Sequence, residues 1–129
     1  MTEARRLLVV EDNAEACAVL CELVSAWGYQ ADAAEDGWHA LDLVGSHAPD
    51  VIITDLSLPD GGACEVIRAV KSRLGPDVLI IAYTGWEHLR AAAMAAGADA
   101  FVLKPELDCL EEVLRALETG AARRGAPRR

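Results

Sequence analysis

The chain has 129 residues, 53% of them hydrophobic and 26% charged, which is typical of one globular domain and leaves little room for a second. Its net charge of −9 disfavours contact with nucleic acid backbones. No apolar run is long enough to span a bilayer. Charged residues follow Met1 too closely for the sequence to begin with a signal peptide. These features predict a cytoplasmic protein that binds neither membranes nor nucleic acid directly.

Five short apolar runs alternate with amphipathic stretches along the chain. In chain order the predicted strands are Leu7–Val10, Gln30–Ala34, Val51–Thr54, Val78–Tyr83 and Ala100–Leu103. Three of these runs are almost continuous in Val, Ile or Leu, as expected of parallel strands that are covered on both faces. The alternation predicts an α/β fold, a doubly wound parallel sheet of five strands with helices on both faces.

Each predicted strand is followed by apolar residues at helical spacing. The five stretches are represented by Cys17–Trp27, Leu41–Val44, Val66–Leu74, Leu89–Ala96 and Leu110–Leu117. Glycine or proline then predicts the end of each helix: Gly28, Pro49, Gly75–Pro76, Gly97 and Gly120. We therefore predict one domain over residues 1–120 and a basic, disordered, solvated tail over residues 121–129.

Cysteine and histidine residues give no metal-binding pattern. The four cysteines lack paired ligand spacing. Cys17 and Cys21 are four residues apart and share one helix face, so we interpret them as small core residues rather than a disulfide or zinc site. His39, His47 and His88 are scattered among the predicted helices, and we expect them at the surface.

Polar residues stand where four of the predicted strands end. Glu11 and Asp12 follow the first strand, Asp55 the third, Thr84 the fourth and Lys104 the fifth. Open parallel sheets bind ligands beyond these carboxyl ends. Three converging carboxylates need a counter-charge, which Mg²⁺ supplies, while a lysine and a threonine hydroxyl suit phosphoryl oxygens. The set predicts phosphoryl transfer, with a nucleophile, a metal and donors.

Each of these elements also has a simpler explanation. Asp55 before Pro59–Gly61 suits a plain turn, and Glu11–Asn13 suits a helix cap. Lys104 could be a solvated charge and Phe101 a core residue. Four such elements in order at four strand ends make coincidence the less favoured interpretation.

These residues carry a resemblance to the response-regulator receiver family of two-component signalling, from about Arg6 to Leu117. The matching elements are Glu11–Asp12 after LLVV, Asp55 in DVIITDLSLPDG, Thr84–Gly85 in IIAYTGW and Lys104–Pro105 in AAGADAFVLKP. The resemblance implies a flavodoxin-like (βα)5 fold with strand order 2-1-3-4-5. It also implies a signalling switch that catalyses only its own phosphorylation and slow dephosphorylation.

The resemblance implies a role for each matching residue. Asp55 would accept the phosphoryl group, Asp12 would bind Mg²⁺ directly, and Glu11 would bind it mainly through water. The backbone carbonyl of Ser57 would be a further Mg²⁺ ligand. Lys104 would contact the phosphoryl group.

The remaining implied roles concern switching. Thr84 would move toward the phosphoryl group on activation, and the Phe101 ring would move inward with it. The Lys104–Pro105 peptide bond would be cis. Trp86 stands at a position that modulates access of water to the phosphorylated site, and we consider it either a lid over that site or an outward docking residue. The stretch from Thr84 to Lys104 is shorter than usual, which we attribute to the loop before the fourth helix.

The implied partners are a sensor histidine kinase or histidine phosphotransfer protein, and a protein effector. The effector would contact the fourth helix, fifth strand and fifth helix. Two alternatives remain open: a receiver-like binding module that is not phosphorylated, and a phosphatase with an aspartyl nucleophile. The phosphatase is less favoured because Ser57 stands where the second Asp of a DxD pattern would fall. A flavin-binding domain is weaker still, since no phosphate-cradling loop follows the first strand.

Overall fold

The computed structural model describes residues 5–57 and 62–125. Its core is one parallel sheet, and the strands are β1 (Arg6–Val10), β2 (Gln30–Ala34), β3 (Val51–Thr54), β4 (Leu79–Thr84) and β5 (Ala100–Leu103). Their order is β2-β1-β3-β4-β5, and every neighbouring pair is parallel. The predicted flavodoxin-like α/β fold and strand order are confirmed.

Helices cover both faces of the sheet. They are α1 (Ala14–Ala26), α2 (Gly37–Ser46), α3 (Ala63–Leu74), α4 (Arg90–Ala96) and α5 (Leu107–Gly125). Alternate strand residues point to opposite faces, so Leu7 and Val9 pack with α1 and α5, whereas Leu8 and Val10 pack with α2, α3 and α4. This double coverage explains why the central strands are apolar without a break.

Side-chain caps fix where the first two helices begin. The Asn13 side chain accepts a hydrogen bond from the backbone N–H of Ala16, and Asp36 accepts one from His39. Because Asn13 caps α1, the two preceding acidic residues stay outside the helix at the end of β1. The cap therefore leaves both carboxylates available at the rim of the sheet.

Two helical features differ from the sequence predictions. A 3₁₀ turn at Glu87–Leu89 precedes α4 and was not predicted, so only Gly85 and Trp86 separate β4 from helical structure. The fifth helix does not end at Gly120 but continues to Gly125. A glycine inside a helix costs only about 1 kcal/mol relative to alanine, so Gly120 does not suffice as a stop.

The extended α5 corrects the predicted tail, because residues 121–125 are helical, while residues 126–129 lie outside the described part of the chain. A tertiary contact holds the helix before this extension. The Tyr29 hydroxyl donates to the Glu118 carboxylate at 2.9 Å, and Arg5 pairs with the same carboxylate at 3.0 Å. These contacts join α5 to the start of the sheet, which sequence spacing alone did not reveal.

The cysteines form no disulfide and the histidines lie at the surface, as predicted, but Cys17 and Cys21 lie at the edge of the core and not fully inside it. All four cysteines are free, and Cys17 and Cys21 are half-buried against the core between the sheet and α1 and α5. The three histidines are exposed, as expected. Within the described residues, none of the helices has the length and apolar character that crossing a membrane requires.

Candidate functional site

The carboxyl ends of β1 and β3 bring three carboxylates together. Oxygen atoms of Glu11, Asp12 and Asp55 all lie within 4.8 Å of one another. Glu11 and Asp55 are buried, with 3% and 7% of their surface exposed, whereas Asp12 faces solvent. The cluster is thus enclosed on the protein side and open on one side, where an ion or a partner can reach it.

Lys104 supplies positive charge to this cluster from the end of β5. Its Nζ lies 2.5 Å from Oε1 of Glu11 and 3.3 Å from Oδ2 of Asp55. Burial alone would lower the pKa of Lys104, but the hydrogen bond that Lys104 donates to Glu11 and the charge of Asp55 outweigh this effect and raise the pKa. The ammonium group therefore stays charged. The Lys104–Pro105 peptide bond is cis, as predicted.

The Asp55 carboxylate is held by hydrogen bonds to both oxygens. Oδ1 accepts from the backbone N–H of Leu56 at 2.7 Å and from the N–H and hydroxyl of Ser57, each at 3.3 Å. Burial acts to raise the pKa of Asp55, yet the charge of Lys104 and the Ser57 N–H bring it below its usual value. The carboxylate is therefore ionised at neutral pH, which is the state that a nucleophile requires.

Thr84 places a hydroxyl beside this carboxylate. Its side chain is fully buried, and among the described residues Oγ1 has no hydrogen-bond partner. It lies close enough to Asp55 to make a small contribution to the lowered pKa of that carboxyl, although no hydrogen bond forms between the two. Buried hydroxyls without partners are rare and often mark a functional site. An oxygen-rich group bound at Asp55 would satisfy this one.

Comparison with known proteins agrees with this geometry. A family model described as the response regulator receiver domain matches residues 7–118. The chain belongs to this family. It is therefore a receiver domain of a response regulator, which is a signalling protein.

Relatives and solved structures support the assignment. The response regulator MprA of Mycolicibacterium vanbaalenii is 37% identical over 111 residues, which are 84% of this chain and 47% of MprA. The virulence transcriptional regulatory protein PhoP of Salmonella typhimurium is 38% identical over 102 residues, which are 78% of this chain and 45% of PhoP. This receiver domain thus spans about half the length of the curated relatives that it matches. The response regulator TrrA of Thermotoga maritima, in complex with Mg²⁺-BeF, superimposes with a TM-score of 0.81 at 31% identity, over 88% of this chain and 98% of TrrA.

The donor set of the receiver domain fits Mg²⁺. The three clustered side chains offer only carboxylate oxygens, the hard ligands that this ion prefers. One side of the cluster is open, so bound waters can complete an octahedral shell. The predicted role of the Ser57 carbonyl stays a prediction, because the loop residues 58–61 that follow lie outside the described chain.

Trp86 contacts the site through Ser57. The indole N–H donates to the Ser57 hydroxyl at 3.1 Å, and that hydroxyl donates onward to Asp55. The indole is 53% exposed, and its outer side meets His88 edge-on, with ring centroids 5.9 Å apart. From the sequence, Trp86 could be either a lid or an outward docking residue. The contact with Ser57 brings the indole beside the site, and its role as a lid stays a prediction.

Phe101 lies under a charged side chain that sequence analysis did not single out. The ring is 9% exposed, and the Arg90 guanidinium stands 4.5 Å from its centroid. Glu87 holds Arg90 with two hydrogen bonds, of 2.7 and 3.0 Å. The i, i+3 spacing of Glu87 and Arg90 could have predicted their ion pair. The contact of Arg90 with Phe101 could not be predicted from the sequence, because it depends on how α4 packs beside β5.

Proposed function

We propose that this receiver domain is a phosphorylation switch in which Asp55 accepts a phosphoryl group from a phosphohistidine. The donor is a sensor histidine kinase or a histidine phosphotransfer protein. The observation that carries the proposal is the ionised, buried Asp55 carboxylate, which lies beside Lys104 and within the acidic cluster. Membership of the receiver family supports it, and so does the Mg²⁺ in the TrrA complex.

The chemistry assigns a task to each side chain. An Asp55 oxygen forms the bond to phosphorus while the phosphorus–nitrogen bond of the donor breaks, and the histidine leaves. Glu11 and Asp12, with Asp55, would hold Mg²⁺, which supplies positive charge to the phosphoryl oxygens. Lys104 contacts a phosphoryl oxygen, and the Thr84 hydroxyl donates to another.

The output of the switch is contact with a protein effector in the cytoplasm. We place this contact on α4, β5 and α5, next to Phe101, whose ring lies under the Arg90 guanidinium. Met94 of α4 is 43% exposed and adds apolar surface to this face. The net charge of −9 disfavours direct binding to nucleic acid. Because the chain covers about half of its curated relatives, their regulatory activities are not assigned to it.

Intact-mass spectrometry after incubation with acetyl phosphate and Mg²⁺ tests the proposal. A single stoichiometric phosphoryl adduct that requires Mg²⁺ is the expected result. A protein that forms no adduct would instead be a binding module with the receiver fold. Continuous release of phosphate without an accumulated adduct would indicate a phosphatase.

Replacing Lys104 with Met is expected to strengthen Mg²⁺ binding while lowering the yield of adduct. In the absence of metal, the Lys104 ammonium neutralises part of the negative charge of Glu11 and Asp55, so removing it leaves more negative charge to attract the ion. We expect the affinity for Mg²⁺ to rise by about 10-fold, which corresponds to roughly 1.4 kcal/mol. Titration calorimetry measures the affinity. Lys104→Arg retains the charge and serves as the matched control, with Mg²⁺ affinity close to that of the wild type. Weaker Mg²⁺ binding in Lys104→Met would contradict the competition.

Replacing Trp86 with Ala or Glu is expected to speed loss of the phosphoryl group from Asp55. The indole hydrogen-bonds to Ser57 next to Asp55, so removing it opens a path for the attacking water, with an expected acceleration of about 10-fold. The decay of the adduct is followed by mass spectrometry. Trp86→Phe keeps an aromatic ring without the N–H and separates coverage from hydrogen bonding. Equal decay rates in the wild type and the Ala and Glu variants would rule out the lid.

A further inference from the structure

A pair of thiols lies on α1, separate from the side chains assigned to phosphorylation. Cys17 and Cys21 are one helical turn apart, so their side chains meet on one face of the helix. Besides burial, the neighbouring Cys21 thiol also helps to raise the pKa of Cys17, as expected of two groups on adjacent turns of one helix. Both are half-buried, and neither forms a disulfide. Two sulfur atoms are thus held side by side on a rigid element.

The thiol pair opens into a cavity between α1 and the end of β2. The cavity has a volume of about 390 Å³, and alanines form much of its wall. Its lining also includes Cys17, Cys21, His39 and the acidic residues Glu11 and Asp12. The two sulfurs are therefore accessible to a small ion, in a space that adjoins the phosphoacceptor site.

The raised pKa of Cys17 slows its oxidation and restricts metal binding to ions with a very high affinity for sulfur. Burial raises the pKa of Cys17 to about 11, and the neighbouring Cys21 adds to the shift. A protonated thiol is a poor nucleophile, so oxidation at neutral pH is slow. Metal ions with high affinity for sulfur displace such protons, because the free energy of the metal–sulfur bond offsets the free energy needed to deprotonate the thiol.

The number of available ligands selects the ion. Thiolates favour copper(I), zinc and iron–sulfur clusters. Zinc sites in structural roles take four ligands, and iron–sulfur clusters take four cysteines. Among the described residues, the only group of three or more metal-ligating side chains close together is the acidic cluster, so no third such side chain joins the two thiols. A two-ligand sulfur site suits copper(I).

We propose that Cys17 and Cys21 form a two-sulfur binding site for a cuprous ion. The ion forms one bond to each sulfur and releases one proton from each thiol, and its oxidation state does not change. The complex carries one net negative charge. This site uses neither Asp55 nor Lys104, but its cavity shares Glu11 and Asp12 with the proposed Mg²⁺ site.

Competition with the chromophoric chelator bathocuproine disulfonate, under anaerobic and reducing conditions, tests the site. The full chain is expected to bind one equivalent of copper(I). Cys17→Ser and Cys21→Ser should each bind at least about 100-fold more weakly, since changes outside the ligand shell alone already cost about 10–100-fold. The chain offers matched controls in Cys64→Ser and Cys109→Ser, which should retain the wild-type affinity. Circular dichroism of each variant confirms that α1 is still folded.

X-ray absorption at the copper edge gives a second readout that does not depend on the single variants. Two sulfur neighbours in the double variant Cys64→Ser/Cys109→Ser would support the assignment. The proposal is overturned by unchanged affinity in Cys17→Ser or Cys21→Ser, or by loss of binding in either control. Failure of the wild type to compete with the chelator would overturn it as well.

Discussion

Asp55→Asn is expected to remove the phosphoryl adduct that forms with acetyl phosphate and Mg²⁺. Its yield should fall by at least about 100-fold, because the neutral amide lacks the charged oxygen that attacks phosphorus. The amide keeps the shape of the side chain, and one amide oxygen can still accept from the backbone N–H of Leu56 and Ser57. The variant therefore isolates the chemistry from the fold. Intact-mass spectrometry measures the yield, and peptide mapping identifies the modified residue.

The control for Asp55→Asn is Asp42→Asn, which makes the same chemical change at an exposed position of α2. It should accumulate the adduct as the wild type does. An unchanged adduct yield in Asp55→Asn would show that another side chain is the acceptor. That result would contradict the proposed function, whether or not Asp42→Asn behaves as the wild type does.

Asp12→Ala is expected to weaken Mg²⁺ binding by about 100-fold, or about 2.7 kcal/mol, because it removes one of the three carboxylates that would hold the ion. Without metal, the same variant should unfold with slightly higher free energy, since it relieves repulsion from Glu11 and Asp55. Because Asp12 is exposed, this gain stays below about 1 kcal/mol. Glu15→Gln removes one negative charge from the first turn of α1, near Asp12 but outside the cluster, and serves as the control.

Thermal unfolding with and without Mg²⁺ provides the measurement for Asp12→Ala. An ion that binds only the folded chain adds about 2.7 kcal/mol when its concentration is about 100 times the dissociation constant. The melting temperature of the wild type and of Glu15→Gln should therefore rise with Mg²⁺, and that of Asp12→Ala should not. A wild-type melting temperature that ignores millimolar Mg²⁺ would count against the whole acidic site.

The nearness of Glu11, Asp55 and Lys104 could be predicted because each directly follows a strand. In a parallel sheet all strands end on one side, so residues remote in sequence meet at one rim. The strands themselves can be recognised in the sequence as apolar runs. Because successive side chains of a strand point to opposite faces of the sheet, each strand contributes to the hydrophobic cores on both faces. The arrangement of the rim therefore follows from local patterns together with one topological rule.

Contacts between helices and loops could not be predicted in the same way. The Trp86–Ser57 hydrogen bond depends on the 3₁₀ turn after β4, which local propensity did not reveal. The predicted end of α5 at Gly120 was wrong, because one glycine does not suffice to end a helix. The contacts of Glu118 with Tyr29 and Arg5 could not be predicted either, because they join residues far apart in sequence.

In the proposed switch, in which the Phe101 ring moves inward on phosphorylation, the guanidinium over this ring would favour the buried ring already in the resting state. A cation–π contact at an exposed site is worth about 0.5–1 kcal/mol, which multiplies the population of the buried ring by roughly 2–5. Under this proposal, phosphorylation would need less free energy to complete the inward shift. The resting population would also lie closer to the activated one, so the contrast between the two states that an effector detects would be smaller by the same factor.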